Sequence, residues 1–331
     1  MLRVVGFIPL SLLDVTDKNS IKIDNETELV GLSDISSINK YMNLVRDKYY
    51  FKQFIEDIEE KKYPYLIYKK SFFGKNIKNT NTNGLLVSIH NLNIIILFGL
   101  WLVKDNAINM ITSVGIFQDE SQKMLSYNNK DSKFSDSKGL YSKTTFSIQE
   151  FETCFKYIGM FDDEFFITKI NQEEYDKRHN EGYISSSIFN FNDLDRIQKC
   201  VLFINEARKS TFIPTKIASY ASGFEALISS SKEQITVNIA ERISIFLSED
   251  YEERIAIFKN VKNIYNARSY YIHGSDYGKK LSRDLEGLSV EADSIMRRLM
   301  LLFIENKKFN NLKNMSDQEF DDWYRKEYTF R

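Results

Sequence analysis

Apolar residues recur at helical spacing through most of the carboxyl-terminal half, and this pattern is the strongest constraint on the fold. From Leu194 to Arg208 they stand three or four positions apart, and four further segments repeat the pattern up to about Asn306. Amphipathic helices joined by short links bury their apolar faces against one another as an up-down bundle. The sequence therefore predicts an all-α helical bundle over residues 186–331.

Residues with known positional preferences mark the ends of these helices. Asn192 or Asp193 is placed to cap the first helix, and Pro214 lies near the start of the second. Gly274 stands where the fourth helix should end in a left-handed residue. Ser316 precedes the acidic stretch DQEFDD and predicts one short helix in the tail.

The amino-terminal half has a different character. The run NLNIIILFGLWLVKD, from Asn91 to Asp105 with the apolar run Ile94–Val103 at its centre, fits a buried helix or a buried strand, and its length favours a helix. The polar, serine-rich stretch Gln118–Gly139 predicts a mobile loop. We expect a mixed α/β domain over residues 1–185, and hence an α+β protein. The runs predicted as strands are LRVVGFI, YPYLIYKK and GLLVSI.

The overall charge and the cysteine content limit the class of protein. Lys+Arg 45 against Asp+Glu 46 gives a net charge of −1, so any nucleic acid must be held by a local basic surface. Two cysteines, Cys154 and Cys200, argue for a reducing compartment. Since the run Ile94–Val103 is about half of the ~20 residues that cross a bilayer, we predict a cytoplasmic protein without membrane contact.

The stretch NIYNARSYYIHGSDYGKK, from Asn263 to Lys280, places Arg268 five positions before His273. The negative end of a helix dipole favours a protonated imidazole, so His273 is suited to proton exchange near neutral pH. The planar guanidinium of Arg268 is suited to two phosphate oxygens. Five residues turn a regular helix by ~500°, so these side chains do not share one stripe. They converge only if the helix end unwinds or a second copy packs against it.

Such a pair fits cleavage of RNA by its own 2′-hydroxyl. That reaction needs a base, an acid and positive charge beside the phosphate, and it needs no metal. The 2′-hydroxyl restricts it to RNA. The alternative interpretation is structural: His273 caps the last carbonyls of the helix, and Arg268 forms a surface ion pair.

Four stretches of the chain carry a resemblance to a known family. They are YNARSYYIHG (Tyr265–Gly274), ASGFEALIS (Ala221–Ser229), NIAERISIFLS (Asn238–Ser248) and LWLVKDNAIN (Leu100–Asn109). Together they resemble the HEPN domains of the ApeA-like group, which belongs to prokaryotic antiphage defence. The resemblance covers about residues 195–305 and is patchy before them.

The resemblance implies a metal-independent endoribonuclease that uses no cofactor. It makes Arg268 and His273 the catalytic pair, joined in one cleft by a homodimer of the bundles, and implies products with 2′,3′-cyclic phosphate ends. It also implies a toxin-like effector of abortive infection. Ser269 departs from the wider family, in which Asn, Asp or His often follows the arginine.

Further side chains near the pair are candidates for supporting roles. Glu225 lies among apolar residues and either pairs with Arg268 as a partly buried carboxylate or stands exposed at the edge of its stripe. Aromatic and basic residues near His273 suit stacking on bases and attraction of phosphates. The other predicted site residues are Tyr265, Asn266 and Ser269 as supporting groups, and Tyr270, Tyr271, Lys279 and Lys280 as RNA contacts.

The expected substrate is single-stranded RNA or an exposed loop, such as that of a tRNA. The amino-terminal domain would sense a trigger, derived from a phage or another protein, or restrain the nuclease. One alternative is a noncatalytic RNA-binding or dimerisation scaffold, and another is the HEPN partner of a nucleotidyltransferase toxin–antitoxin pair. The acidic clusters Asp162–Glu164 and Glu173–Asp176 leave open a Mg²⁺-dependent nuclease.

Overall fold

The computed structural model describes residues 1–16, 21–22, 25–30, 38, 41, 48–128, 133–161, 191–230, 234–276 and 284–329. They form two compact units, one of residues 1–136 and 140–158 and the other of residues 137–139 and 159–331. The predicted domain boundary between residues 185 and 186 lies outside the described residues.

An antiparallel sheet forms the centre of the first unit, in the order β3-β4-β5-β1-β7-β8, with β6 paired to the end of β1. A separate parallel pair joins β2 to β9. The strands are β1 (Leu2–Ser11), β2 (Leu13–Val15), β3 (Ile21–Lys22), β4 (Thr27–Val30), β5 (Tyr65–Phe72), β6 (Asn109–Met110), β7 (Ser113–Gln118), β8 (Lys123–Asn128) and β9 (Thr144–Phe146).

Helices cover both faces of this sheet, which explains why β1 is apolar on both sides. The first unit contains α1 (Lys48–Lys61), α2 (Thr82–Val103) and α3 (Ile148–Ile158). Because side chains alternate along a strand, Val4 and Ile8 join a core with α2 and α3, whereas Phe7 joins a core with α1. The predicted strands in LRVVGFI and YPYLIYKK and the predicted helix over Ile94–Val103 are confirmed.

Two predictions for the first unit are wrong. The run GLLVSI is not a strand but the beginning of α2, where the Asn81 side chain accepts a hydrogen bond from the Gly84 N–H. It continues without a break into the following apolar run as one helix of 22 residues. The stretch predicted as a loop from residue 118 contains β8, whose backbone pairs with β7. Composition does not reveal a polar strand that is held by main-chain pairing.

The second unit is helical, as predicted. Its helices are α4 (Arg196–Lys209), α5 (Ile213–Ile228), α6 (Ile235–Leu247), α7 (Tyr251–His273), α8 (Leu285–Glu305), α9 (Lys307–Asn310) and α10 (Asp317–Tyr324). Helix α5 is central, since α4, α6, α7 and α8 all pack against it. Its inward side chains Tyr220, Phe224 and Leu227 are fully buried. In the part of the chain described, every helix is too short or too polar to cross a membrane.

The helix ends test the predicted caps. Ser316 caps α10 in a capping box with Glu319, and Pro214 lies in the first turn of α5, both as predicted. The predicted cap of α4 is wrong: Asp195 caps this helix, because Asn192 and Asp193 belong to a separate 3₁₀ turn, Phe191–Asp193.

Two helical glycines predict different responses to alanine. A Cβ at Gly99 would lie 2.8 Å from the buried Cys154 Sγ and 2.9 Å from Ile158 Cγ1, whereas a Cβ at Gly223 would meet only the flexible tip of Met296 closer than 3.0 Å. Alanine gains about 1 kcal/mol of helix propensity at either site. We expect Gly99→Ala to lower the free energy of unfolding in urea by about 1–3 kcal/mol through overpacking, and Gly223→Ala to change it little. Equal losses would contradict this packing of α2 on α3.

Candidate functional site

Helix α7 remains regular as far as His273 and then stops at a glycine. Gly274 has φ 64° and donates its N–H to the Tyr271 carbonyl at 3.2 Å, while the Ser275 N–H donates to the Tyr270 carbonyl at 2.9 Å. This is the Schellman arrangement predicted by the glycine. The helix is therefore not unwound between Arg268 and His273, and the two side chains point about 140° apart around its axis.

The predicted site residues accordingly divide between two faces of α7. Tyr265 is buried and Arg268 half-buried, and both turn towards α5. Asn266, Ser269 and His273, spaced at i, i+3 and i+7, are exposed along one outer stripe. One chain therefore presents its guanidinium and its imidazole on different surfaces.

On the inner face, Arg268 meets Glu225 of α5. Arg268 Nη1 lies 3.5 Å from Glu225 Oε1, and the two side chains are 33% and 28% exposed. The sequence left two possibilities for Glu225, an ion pair with Arg268 or an exposed position, and the structure shows the ion pair. Arg268 Nε is buried and has no hydrogen-bond partner among the residues that are described. The guanidinium thus keeps donor capacity that Glu225 does not use.

Burial sets the protonation of the two groups beside Arg268. Partial burial raises the pKa of Glu225 above its ordinary value of 4.5, while the Arg268 charge and a hydrogen bond from Tyr265 oppose this shift. Burial and the neighbouring Glu225 raise the pKa of Tyr265 well above its ordinary value. The Tyr265 hydroxyl therefore stays protonated, and its one proton is shared between the Glu225 carboxylate and the Ala221 carbonyl, 3.2 Å away.

The two tyrosines predicted to contact RNA differ in their surroundings. Tyr271 shares a hydrogen bond of 3.0 Å with the Thr215 hydroxyl and packs edge-on against Phe212, with 6.0 Å between ring centroids. Tyr270 lies on the outer side of α7 and is exposed. Tyr271 is thus held against the beginning of α5, and Tyr270 is the more accessible ring. Lys279 and Lys280 lie outside the described residues.

His273 is exposed at the tip of α7, and its ring makes no hydrogen bond to any part of the chain that is described. Asn266 and Ser269 are exposed on the same stripe and likewise make no side-chain hydrogen bond there. The outer stripe is therefore polar and accessible.

A polar cavity of about 760 Å³ lies within the second unit, and Glu225 forms part of its wall. Its other charged lining residues are Asp193, Asp195, Arg196, Lys199, Lys313 and Asp317. Over the described ranges, His, Cys, Asp and Glu side chains form no group of three suited to a metal ion. The acidic clusters at residues 162–164 and 173–176 fall outside those ranges.

Sequence reasoning missed two arginines at this cavity and beside it. Arg196 and Arg242 are buried, although each stands at a position that helical periodicity treats as polar surface. A signal existed only for Arg242, which stands in the largely apolar stretch IAERISIF, whereas the mixed stretch RIQKCV gives none for Arg196. Their contacts bear on how Glu225 is held.

Comparison with protein-family models, with curated proteins and with solved structures gives no match to this chain. The residues of α5 and α7, and the resemblance in their sequences, are therefore what bears on function.

The raised pKa of Glu225 predicts a pH dependence of stability. Because the folded protein keeps this proton at a pH where the unfolded chain has lost it, the free energy of unfolding should fall as pH rises from 4.5 through the folded pKa. Glu225→Gln should remove this part of the pH dependence. Urea unfolding of both proteins between pH 4 and 7 measures the difference, with the exposed Glu252→Gln as the matched control. The raised pKa of Glu225 would be contradicted if the free energy of unfolding of wild type increased relative to that of Glu225→Gln as the pH rises.

Proposed function

We propose that the chain is a metal-independent endoribonuclease of the HEPN type, which cleaves single-stranded or loop RNA and uses no cofactor. The observation that carries the proposal is the state of Arg268: it makes one long ion pair, its Nε has no hydrogen-bond partner among the described residues, and it shares the end of a helix with the exposed His273. A guanidinium with unused donors is suited to an incoming phosphate.

Each side chain has a distinct role in this proposal. The 2′-oxygen of the RNA bonds to phosphorus as its proton passes to a base, and the bond to the 5′-oxygen breaks as that oxygen gains a proton. His273 serves in proton transfer, and Arg268 stabilises the charge that develops on the phosphate oxygens. Glu225 orients the guanidinium. The products then carry 2′,3′-cyclic phosphate and 5′-hydroxyl ends.

The divergence of the two side chains makes a second copy part of the proposal. Because about 140° separates Arg268 and His273 around α7, one scissile phosphate is surrounded by both kinds of group only where two α7 tips meet. The exposed apolar side chains Phe212 and Ile272 lie at this end of the helix and provide surface for such contact. We therefore propose a homodimer through the carboxyl-terminal unit.

The proposed biological role is that of a toxin-like effector in antiphage defence, acting in the cytoplasm. A ribonuclease of this kind must be restrained in a healthy cell, and the amino-terminal unit is the candidate for sensing a phage-derived trigger or a protein partner. The exposed Tyr270 favours unpaired bases, such as those of a tRNA loop, because aromatic rings stack on bases that are free of a duplex.

Removing either member of the pair should abolish cleavage without unfolding the chain. We expect Arg268→Ala and His273→Ala each to reduce the rate on total RNA by on the order of 10²–10⁴-fold, the range for a lost proton-transfer or charge-stabilising group. Asn263→Ala, an exposed change on the same helix, is the control. The measurement is RNA end-mapping for 2′,3′-cyclic phosphate.

Mixing the two inactive variants distinguishes a shared cleft from independent sites. A mixed dimer of Arg268→Ala and His273→Ala retains one intact guanidinium and one intact imidazole on different chains. Partial recovery of cleavage supports a composite site. Full cleavage by both single variants would end the catalytic assignment of Arg268 and His273, whereas no cleavage by the wild-type protein would favour the noncatalytic scaffold.

Chelation should leave the activity unchanged, since the proposed chemistry uses only side chains. We expect equal cleavage rates with and without excess EDTA in a buffer of constant ionic strength. Activity that disappears with EDTA and returns with Mg²⁺ would transfer the catalytic role to the acidic clusters at residues 162–164 and 173–176.

A further inference from the structure

Two arginines hold the carboxyl-terminal end of α5. Arg242 Nη1 donates to the Ile228 carbonyl at 3.1 Å, and Arg196 Nη1 donates to the Ser229 carbonyl at 2.7 Å. The Ser229 N–H in turn donates to the Glu225 carbonyl at 3.0 Å, in the last hydrogen bond of the helix. The Glu225 carbonyl therefore accepts a hydrogen bond from Ser229, whose own carbonyl accepts one from Arg196.

Both arginines take their counter-charge from α10. Arg196 pairs with Asp317 and Arg242 with Asp321, each at 2.5 Å, and the arginine side chains are only 10% and 7% exposed. Asp317 is 74% exposed and Asp321 only 22%. Because solvent screens an exposed pair, the contact of Arg242 with Asp321 is the stronger constraint.

Aromatic rings of α10 complete the contact. The guanidinium of Arg242 lies 5.4 Å from the centroid of Phe320 and 4.7 Å from that of Tyr324, and Arg196 lies 4.8 Å from Phe320. The Ser230 hydroxyl accepts from Arg242 Nη1 at 2.7 Å and lies 3.3 Å from Asp321 Oδ1. One short helix thus fixes both guanidinium groups that grip the end of α5.

The cavity beside Glu225 makes the hydrogen bonds from Arg196 and Arg242 to the end of α5 important. Its wall includes Arg196, Ser229 and Asp317 as well as Glu225, so open volume rather than packed side chains adjoins the carboxylate on that side. On the other side stand Arg268, at 3.5 Å, and Tyr265. The position of Glu225 is therefore set by the end of its own helix more than by its neighbours across the cavity.

We infer that α10 is a positioning element for the candidate site: Asp321, acting through Arg242, fixes the end of α5 and so keeps Glu225 within reach of Arg268. Asp321 and Arg242 are positioning residues, and neither is placed to touch RNA in this scheme. The inference gains its functional meaning from the proposed nuclease, but its first test uses no RNA.

The test is the titration of the Glu225 carboxyl, followed by carbon-13 NMR of glutamate-labelled full-length protein, with Glu225→Gln to assign the signal. Arg268 lowers the pKa of Glu225, so releasing the end of α5 should raise it further. We expect the pKa of Glu225 to shift upward in Asp321→Asn and by less in Ser230→Ala. The Ser230→Ala variant keeps both charges, so it provides the test if Asp321→Asn does not fold. Asp322→Asn, one position further on α10 and exposed, is the matched control.

The inference is overturned if the folded variants titrate as wild type does, or if Asp322→Asn shifts the carboxyl by as much as they do. As a second readout, the cleavage rate should fall in Asp321→Asn and not in Asp322→Asn. A protein that cleaves no RNA but shows the expected titration would refute the proposed nuclease and leave the positioning role of α10 standing.

Discussion

The pitch of the α-helix is the constraint on which the rest of this site depends. A helix of 3.6 residues per turn cannot bring side chains five positions apart onto one face, and α7 keeps this pitch up to its terminal glycine. The inner face of α7 is therefore used for packing on α5, and the outer stripe is left accessible. A reaction that needs a guanidinium and an imidazole at one phosphate therefore has to draw these groups from the α7 helices of two chains.

The contact between α5 and α7 places a carboxylate where its charge is poorly solvated. Arg268 offsets only part of this cost, because the raised pKa of Glu225 means that burial outweighs the attraction of the guanidinium at 3.5 Å. The ion pair of Glu225 with Arg268 therefore compensates the charge of the arginine only in part. It orients the guanidinium and leaves it able to exchange one anionic partner for another, which a tightly bidentate pair would resist.

Local patterns in the sequence were sufficient for most of the helical unit and for the helix end at Gly274. Periodicity located its long helices because each buries one continuous stripe, and a glycine in the left-handed region is a strong stop signal. Strand β8 was not predictable in this way, since its polar residues are held by the backbone of β7. The cap at Asp195 was missed because three nearby polar residues are all acceptable caps, and only the 3₁₀ turn before α4 selects among them.

The site was predictable to a smaller extent. The spacing of Arg268 and His273 implied divergent faces, since helix geometry alone determines that angle. The ion pairs of Arg196 with Asp317 and of Arg242 with Asp321 were not predictable, because they join residues 121 and 79 positions apart and depend on how α10 folds back. Long-range contacts between charged groups leave no periodic trace in a sequence.

A scaffold and a nuclease make different demands on the tip of α7. A structural seam between two copies would bury polar groups and so would select side chains whose hydrogen bonds are satisfied within the protein. Tyr271, bonded to Thr215 and packed on Phe212, meets that description. Arg268, whose buried Nε has no hydrogen-bond partner within the described ranges, and His273, with an exposed ring, do not. Phosphodiester cleavage calls for a guanidinium and an imidazole that can meet RNA, and this difference from Tyr271 on the same helix is the reason for proposing the nuclease.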